Sequence, residues 1–138
     1  MSTQSLPGNA PPPKLPGVLA KLLIVYKLWR EYQRHIPTLE RYSIGVKTDS
    51  IFVELIEAVT TANFLSKEQK LPYISRAVIK LDVLRFFLQL LWDMKSIDTK
   101  KFISLSELLE EVGKMLGGWK NQITKNSLPT LRREREMK

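Results

Sequence analysis

The chain has 138 residues and a formal charge of +8, because 22 lysines and arginines outnumber 14 acidic residues. At this length we expect a single domain, and the apolar fraction of 43% supplies a core of ordinary size. The positive charge indicates either an anionic partner, with nucleic acid ahead of anionic lipid, or a role in solubility alone. The absence of cysteine excludes disulfides, thiolate metal sites and a cysteine nucleophile.

Residues 1–16 contain five of the eight prolines in the chain. A segment of this composition has too little apolar surface to bury, so we expect a disordered, Pro-rich arm. It lacks the basic region followed by an apolar core that is typical of a signal peptide. We therefore expect a cytoplasmic protein.

Helix 1 is predicted from Gly17 to a point before Pro37, with a core-facing stripe that includes Trp29. Lys27, Arg30 and Arg34 share one flank of this helix at spacings of three and four residues. The flank is either a solvated face or a ridge that binds phosphates. A basic amphipathic helix also suits a membrane surface, but the aromatic residues of helix 1 suit a packed interface equally well, so no membrane is expected.

Helix 2 is predicted to follow at once, with Pro37 in a first-turn position and Thr38 close by, and to run to about Phe64. Gly45 lies in the middle of this helix, where glycine costs about 1 kcal/mol relative to alanine, so a close backbone approach is expected there. Arg41 and Asp49 fall on the core-facing side. We expect both side chains to pair with partners from another helix.

Helix 3 is predicted to end near Lys95, and Ser66 with Gln69 has the spacing of a capping box at its start. If Pro72 interrupts the helix, it begins one turn later. Its residues form two apolar stripes on nearly opposite faces. The first contains Ile74, Val78, Leu81, Leu84, Leu88, Leu91 and Trp92, and the second contains Ile79, Val83, Phe86 and Leu90 with Phe87 beside them.

A helix with two apolar stripes requires a second partner. Either the second stripe meets another subunit, or the helix is central and covered on both sides within one chain. With so few helices available to cover it, we favour the oligomer.

Helix 4 is predicted from Thr99 to about Lys125, with Asp98 capping its start. Gly117 and Gly118 interrupt its heptad pattern, but Trp119 keeps the phase, so we expect the helix to continue and the glycines to admit a close neighbour. The alternative is a helix that ends at Gly117, with Trp119 folding back onto it. Residues 126–138 are predicted to be a basic, disordered tail.

Four helices with short connections over residues 17–125 predict an all-α, antiparallel up-down-up-down bundle. The sequence has one histidine, His35, and neither the Glu-x-x-His motifs of di-iron bundles nor a Gly-rich phosphate loop. We therefore expect no metal, no cofactor and no enzymatic activity.

Helices 3 and 4 carry a more specific signal. The run LDVLRFFLQLLWDM (81–94), followed by LLEEVGKMLGGWKNQI (108–123), resembles the Avd proteins, the accessory variability determinants of diversity-generating retroelements. These belong to a wider class of four-helix bundles that includes proteins encoded in intervening sequences of ribosomal RNA. The resemblance extends over about residues 15–125.

The resemblance implies a homopentameric barrel without activity of its own. This barrel would bind a reverse transcriptase and its template RNA or cDNA and support mutagenic copying. Arg85 matches the basic helix 3 of the family, whereas Gln89 stands where a second arginine is expected. The alternative is a structural or nucleic-acid-binding bundle of the ribosomal intervening-sequence type, unrelated to retroelements.

Two sets of candidate site residues follow. The nucleic-acid or reverse-transcriptase set contains Lys27, Arg30, Arg34, Arg76, Lys80, Arg85, Lys120 and Lys125. The oligomer-interface set contains Ile79, Val83, Phe86, Phe87, Leu90 and Trp119.

Overall fold

The computed structural model describes residues 17–136, with side chains for residues 17–125. The Pro-rich arm and the side chains of the basic tail therefore lie outside the described residues. Within them the chain forms four helices. These are α1 (Gly17–Gln33), α2 (Thr38–Glu40, a π-helical turn Arg41–Gly45 and Val46–Phe64 in direct succession), α3 (Lys67–Asp93) and α4 (Thr99–Glu136).

Each helix packs beside the next one in the chain, and α1 also packs beside α4. Because the connections are only a few residues long, successive helices run antiparallel. The prediction of an all-α four-helix bundle is confirmed.

The core lies between the four helices and is built from one stripe of each. Trp29 of α1 is fully buried and stacks on Phe52 of α2, with ring centroids 5.9 Å apart. Each fully buried leucine or isoleucine contributes about 1.5–3 kcal/mol relative to an exposed one. The largest fully buried side chains are Trp29, Phe52, Leu22, Ile36, Leu55, Ile74, Leu84, Leu88, Leu91, Leu105, Leu109 and Leu116.

The junction between α1 and α2 is held by a buried apolar residue and a turn of π-helix. Ile36 is fully buried, and its carbonyl oxygen accepts a hydrogen bond of 3.0 Å from Arg41 Nε. Arg41 therefore bonds to the junction, not to a neighbouring helix as predicted, because its side chain points back toward the preceding turn. Gly45 ends the π-helical turn, and a Cβ atom there would lie 3.1 Å from the carbonyl oxygen of Glu40. The predicted close backbone approach is confirmed.

The start of α3 differs from the expected capping box. Ser66 makes no side-chain capping bond, and the Gln69 N–H donates instead to the Ser66 carbonyl at 3.0 Å. Both side chains are exposed, so the first N–H groups of the helix do not require a side-chain partner. Pro72 does not delay the helix, which begins at Lys67 although a proline in its second turn removes one backbone hydrogen bond.

The end of α3 is a Schellman motif. The Ser96 N–H donates to the Leu91 carbonyl at 2.8 Å, and the Lys95 N–H donates to the Trp92 carbonyl at 2.9 Å. Lys95 has a φ of 63°, in the left-handed region where glycine is usual. Asp98 then caps α4 as predicted, because its Oδ1 accepts a 2.8 Å bond from the Lys101 N–H.

α4 continues through Gly117 and Gly118, which confirms that prediction. A Cβ atom at either glycine would meet nothing within 4 Å, so the expected close neighbour is not found among the described residues of the chain. The predicted end near Lys125 is wrong, because the backbone stays helical to Glu136 even though this segment contains Pro129.

Candidate nucleic-acid interface

A basic cleft lies at the junction of α1 and α2. It has a volume of about 340 Å³, and we call it the junction cleft. Arg30 and Arg34 reach it from α1, and Lys27 is exposed one turn before them. The lining residues are Arg30, Gln33, Arg34, Arg41, Tyr42 and Val46.

Asp49 of α2 anchors the α1 side of this cleft. Its Oδ1 accepts hydrogen bonds from Tyr26 Oη at 3.0 Å and from Trp29 Nε1 at 3.1 Å, and its Oδ2 lies 3.6 Å from Arg30 Nη1. Partial burial, followed by the hydrogen bond to the Asp49 carboxylate, raises the pKa of Tyr26 above its ordinary value. The prediction that Asp49 pairs with another helix is confirmed.

The basic residues predicted near the middle of helix 3 line a different cleft. Lys80 donates to Glu54 of α2 at 2.7 Å, and this hydrogen bond lowers the pKa of the Glu54 carboxyl group. Arg76 lies over the Tyr73 ring, 5.1 Å from its centroid. The cleft between α2 and α3, about 420 Å³, is lined by Glu54, Glu57, Ala58, Thr61, Tyr73, Arg76 and Lys80. With two acidic and two basic residues it is close to charge-balanced, so it favours anions less than the junction cleft does.

The remaining predicted basic residues lie on other parts of the bundle surface. Arg85 is exposed on α3 and has no carboxylate within 4.0 Å in the described part of the chain. On α4, Lys120 is half-buried and Lys125 is exposed. The structure therefore brings Arg30 and Arg34 into one cleft and Arg76 and Lys80 into another.

The two faces of α3 differ sharply in burial. Leu81, Leu84 and Leu88 are buried on the inner face. On the opposite face Ile79 is 61% exposed and Phe86 is 62% exposed, with Val83 between them, and we call these three residues the apolar stripe.

Three predicted interface residues are more buried than the apolar stripe. Phe87 and Leu90 are half-buried, and Phe87 packs against the core. Trp119 of α4 also packs against the core, and the Lys70 ammonium group lies 5.6 Å from its ring centroid. These contacts account for Phe87 and Trp119 within a single chain.

Sequence reasoning missed two residues of the junction cleft. It treated Arg41 as a structural residue and did not single out Tyr42, whose side chain is 72% exposed. The available signal was their position: both follow Pro37 closely, so they face back toward the end of α1 and its arginines.

Residues 17–136 contain no helix long and apolar enough to cross a membrane. Within the same residues no group of three or more His, Cys, Asp or Glu side chains is placed to hold a metal ion.

Comparison with known proteins identifies the family. The model of the bAvd-like family matches residues 21–123, from the second turn of α1 to the part of α4 that packs on the core. No curated protein matches the chain. The match covers most of the sequence and agrees with the resemblance seen in helices 3 and 4, so the chain belongs to the bAvd-like family.

Proposed function

We propose that this protein is the accessory subunit of a diversity-generating retroelement. In this role it binds the reverse transcriptase together with template RNA or cDNA, has no catalytic activity of its own, and supports mutagenic copying of a template repeat. The observation that carries the proposal is the bAvd-like family match over residues 21–123.

The charge of the chain supports nucleic acid as a partner. A formal charge of +8 on 138 residues favours contact with backbone phosphates, which depends little on base sequence and steeply on salt. Arg30, Arg34 and Arg85 are exposed and available for such contacts.

The apolar stripe supports self-assembly. Ile79 and Phe86 are large apolar side chains whose contact with water is unfavourable, and burial against a second copy would remove that surface from solvent. We propose a homopentameric ring, which would multiply the charge of one chain fivefold and extend the surface available to a nucleic acid.

Salt-dependent binding tests the nucleic-acid part. We expect a fluorescently labelled RNA to bind the purified protein at low salt, with an affinity that falls steeply as salt rises. Arg85→Ala is expected to weaken binding several-fold, with an unchanged circular dichroism spectrum. The slope of the logarithm of the binding constant against the logarithm of the salt concentration is expected to decrease in magnitude by about one. Lys100→Ala, which removes an exposed charge at the start of α4, is the control. Absence of binding by the unmodified protein at low salt would contradict the proposal.

Co-purification tests the polymerase part. If the gene lies beside a reverse transcriptase gene and paired near-repeats, the two proteins are expected to co-purify when expressed together. A bundle of the ribosomal intervening-sequence type would have no such neighbour and would not retain the enzyme.

A further inference from the structure

The junction cleft is more basic than the cleft between α2 and α3. Three guanidinium groups, those of Arg30, Arg34 and Arg41, line a volume of about 340 Å³, and none of the described lining residues is acidic. This volume is at the lower end of the range of ligand pockets. The cleft therefore has room for a group the size of one nucleotide but not for a duplex.

Two of these guanidinium groups are held in place by the fold. Arg41 uses its Nε–H for the Ile36 carbonyl at 3.0 Å, and its two terminal NH₂ groups have no partner among the described residues. Arg30 is drawn toward Asp49, with 3.6 Å between Nη1 and Oδ2. A guanidinium fixed in this way loses less freedom when it binds a phosphate through paired hydrogen bonds. Arg34 is exposed and has no ion pair within the described residues, so its full charge is available.

An aromatic ring stands at the edge of the same cleft. Tyr42 is 72% exposed, and it belongs to the π-helical turn Arg41–Gly45 that also carries Arg41. Such turns occur frequently at functional sites. An exposed aromatic ring beside arginines is the arrangement on which unpaired bases stack while their phosphates are bound.

We propose that the junction cleft binds one unpaired nucleotide of a single-stranded nucleic acid. Its phosphate bonds to Arg34 and Arg41, and its base stacks on Tyr42. This inference rests on the proposed function and adds a preference to it: the protein holds single-stranded segments more tightly than duplex of the same length, because bases within a duplex are already stacked on each other.

Fluorescence anisotropy with a short labelled oligouridine, and with a duplex RNA of equal length, tests the proposal. Tyr42→Ala is expected to weaken binding of the single strand about tenfold and to leave duplex binding nearly unchanged. Tyr42→Trp is expected to retain binding, since it keeps an aromatic face. Phe64→Ala is the matched control, because Phe64 is also an aromatic residue of α2, is 81% exposed, and lies at the far end of the helix from the cleft.

The possible results separate this inference from the proposed function. Lack of binding by the unmodified protein to any RNA at low salt would overturn both. Normal binding with equal effects of Tyr42→Ala and Phe64→Ala would overturn the inference alone, as would equal loss of single-strand and duplex binding. Uridine monophosphate that competes as strongly as the oligomer would show a site for free nucleotides and not for a strand. An ultraviolet crosslink between oligouridine and Tyr42, located by mass spectrometry, would place the base at the ring.

Discussion

Asp49 joins α1 to α2 through three side chains, at a point next to the junction cleft. It accepts hydrogen bonds from Tyr26 and Trp29 and lies close to Arg30. Trp29 is fully buried, so its indole N–H depends on this one carboxylate. A single acidic residue therefore satisfies a buried donor and positions an arginine of the cleft.

Asp49→Ala is expected to lower the free energy of unfolding by about 1–3 kcal/mol. The substitution leaves the buried Trp29 N–H without an acceptor, and an unsatisfied buried donor carries a penalty of that size. Asp49→Asn keeps an oxygen at the Oδ1 position and should cost less. Urea unfolding followed by tryptophan fluorescence measures both variants, and equal losses in the two would contradict the role assigned to the hydrogen bonds.

At the scale of the helices, the end of α3 contains a residue in an unfavourable backbone conformation. Lys95 adopts a φ of 63°, although a side chain with a Cβ atom disfavours this conformation. The Schellman hydrogen bonds of Lys95 and Ser96 hold it there. The stacking of Trp92 on Phe102, at 4.8 Å between centroids, holds the same turn from both sides.

Lys95→Gly is expected to raise the free energy of unfolding by about 1 kcal/mol, because glycine adopts the left-handed conformation without that cost. Lys114→Gly is the matched control. Lys114 is exposed inside α4, where the same substitution should lower stability by about 1 kcal/mol. Thermal unfolding measures both variants. A melting temperature of Lys95→Gly at or below that of the unmodified protein would show that the left-handed conformation of Lys95 does not lower stability.

The glycines of α4 differ in what surrounds them. Gly118→Ala is expected to raise stability by about 0.5–1 kcal/mol, since the new methyl group meets nothing within 4 Å and alanine favours helix. Gly113→Ala should gain less or lose stability, because its Cβ atom would lie 3.3 Å from Leu81 Cδ2. Urea denaturation compares the two. Loss of stability in Gly118→Ala would show that this glycine packs against a surface outside the single chain.

The four helices and the inner face of each were predictable, because helical periodicity is local in the sequence and buried residues follow it. Contacts between side chains of different helices could not be predicted from the sequence in the same way. Lys80 and Glu54 are 26 residues apart, and nothing in the spacing of either side chain indicates that they meet between α2 and α3. The π-helical turn was also missed, since it depends on a change in backbone hydrogen bonding that residue types alone do not specify.

At the scale of the whole molecule, α3 contributes to two surfaces. Its inner face closes the core of the bundle, while Ile79, Val83 and Phe86 remain exposed on the opposite side. The basic residues of the junction cleft lie on α1 and α2, whereas Arg85 lies on α3 next to Phe86. Assembly through the apolar stripe would therefore leave the junction cleft available, so self-association and nucleic-acid binding can be separated by mutation.

Phe86→Glu is expected to dissociate the assembly without unfolding the subunit. A carboxylate placed in the apolar stripe would have to lose its hydration to enter an interface, whereas in the single chain it stays in water. Analytical ultracentrifugation should show the unmodified protein at several times the chain mass of 16.0 kDa and the variant near that mass, with equal helical circular dichroism. Phe64→Glu is the control, because it adds the same charge at an 81% exposed aromatic residue outside the stripe. A Phe86→Glu protein that kept its full assembled mass would place the subunit contacts elsewhere, and an unmodified protein of 16.0 kDa would remove the ring altogether.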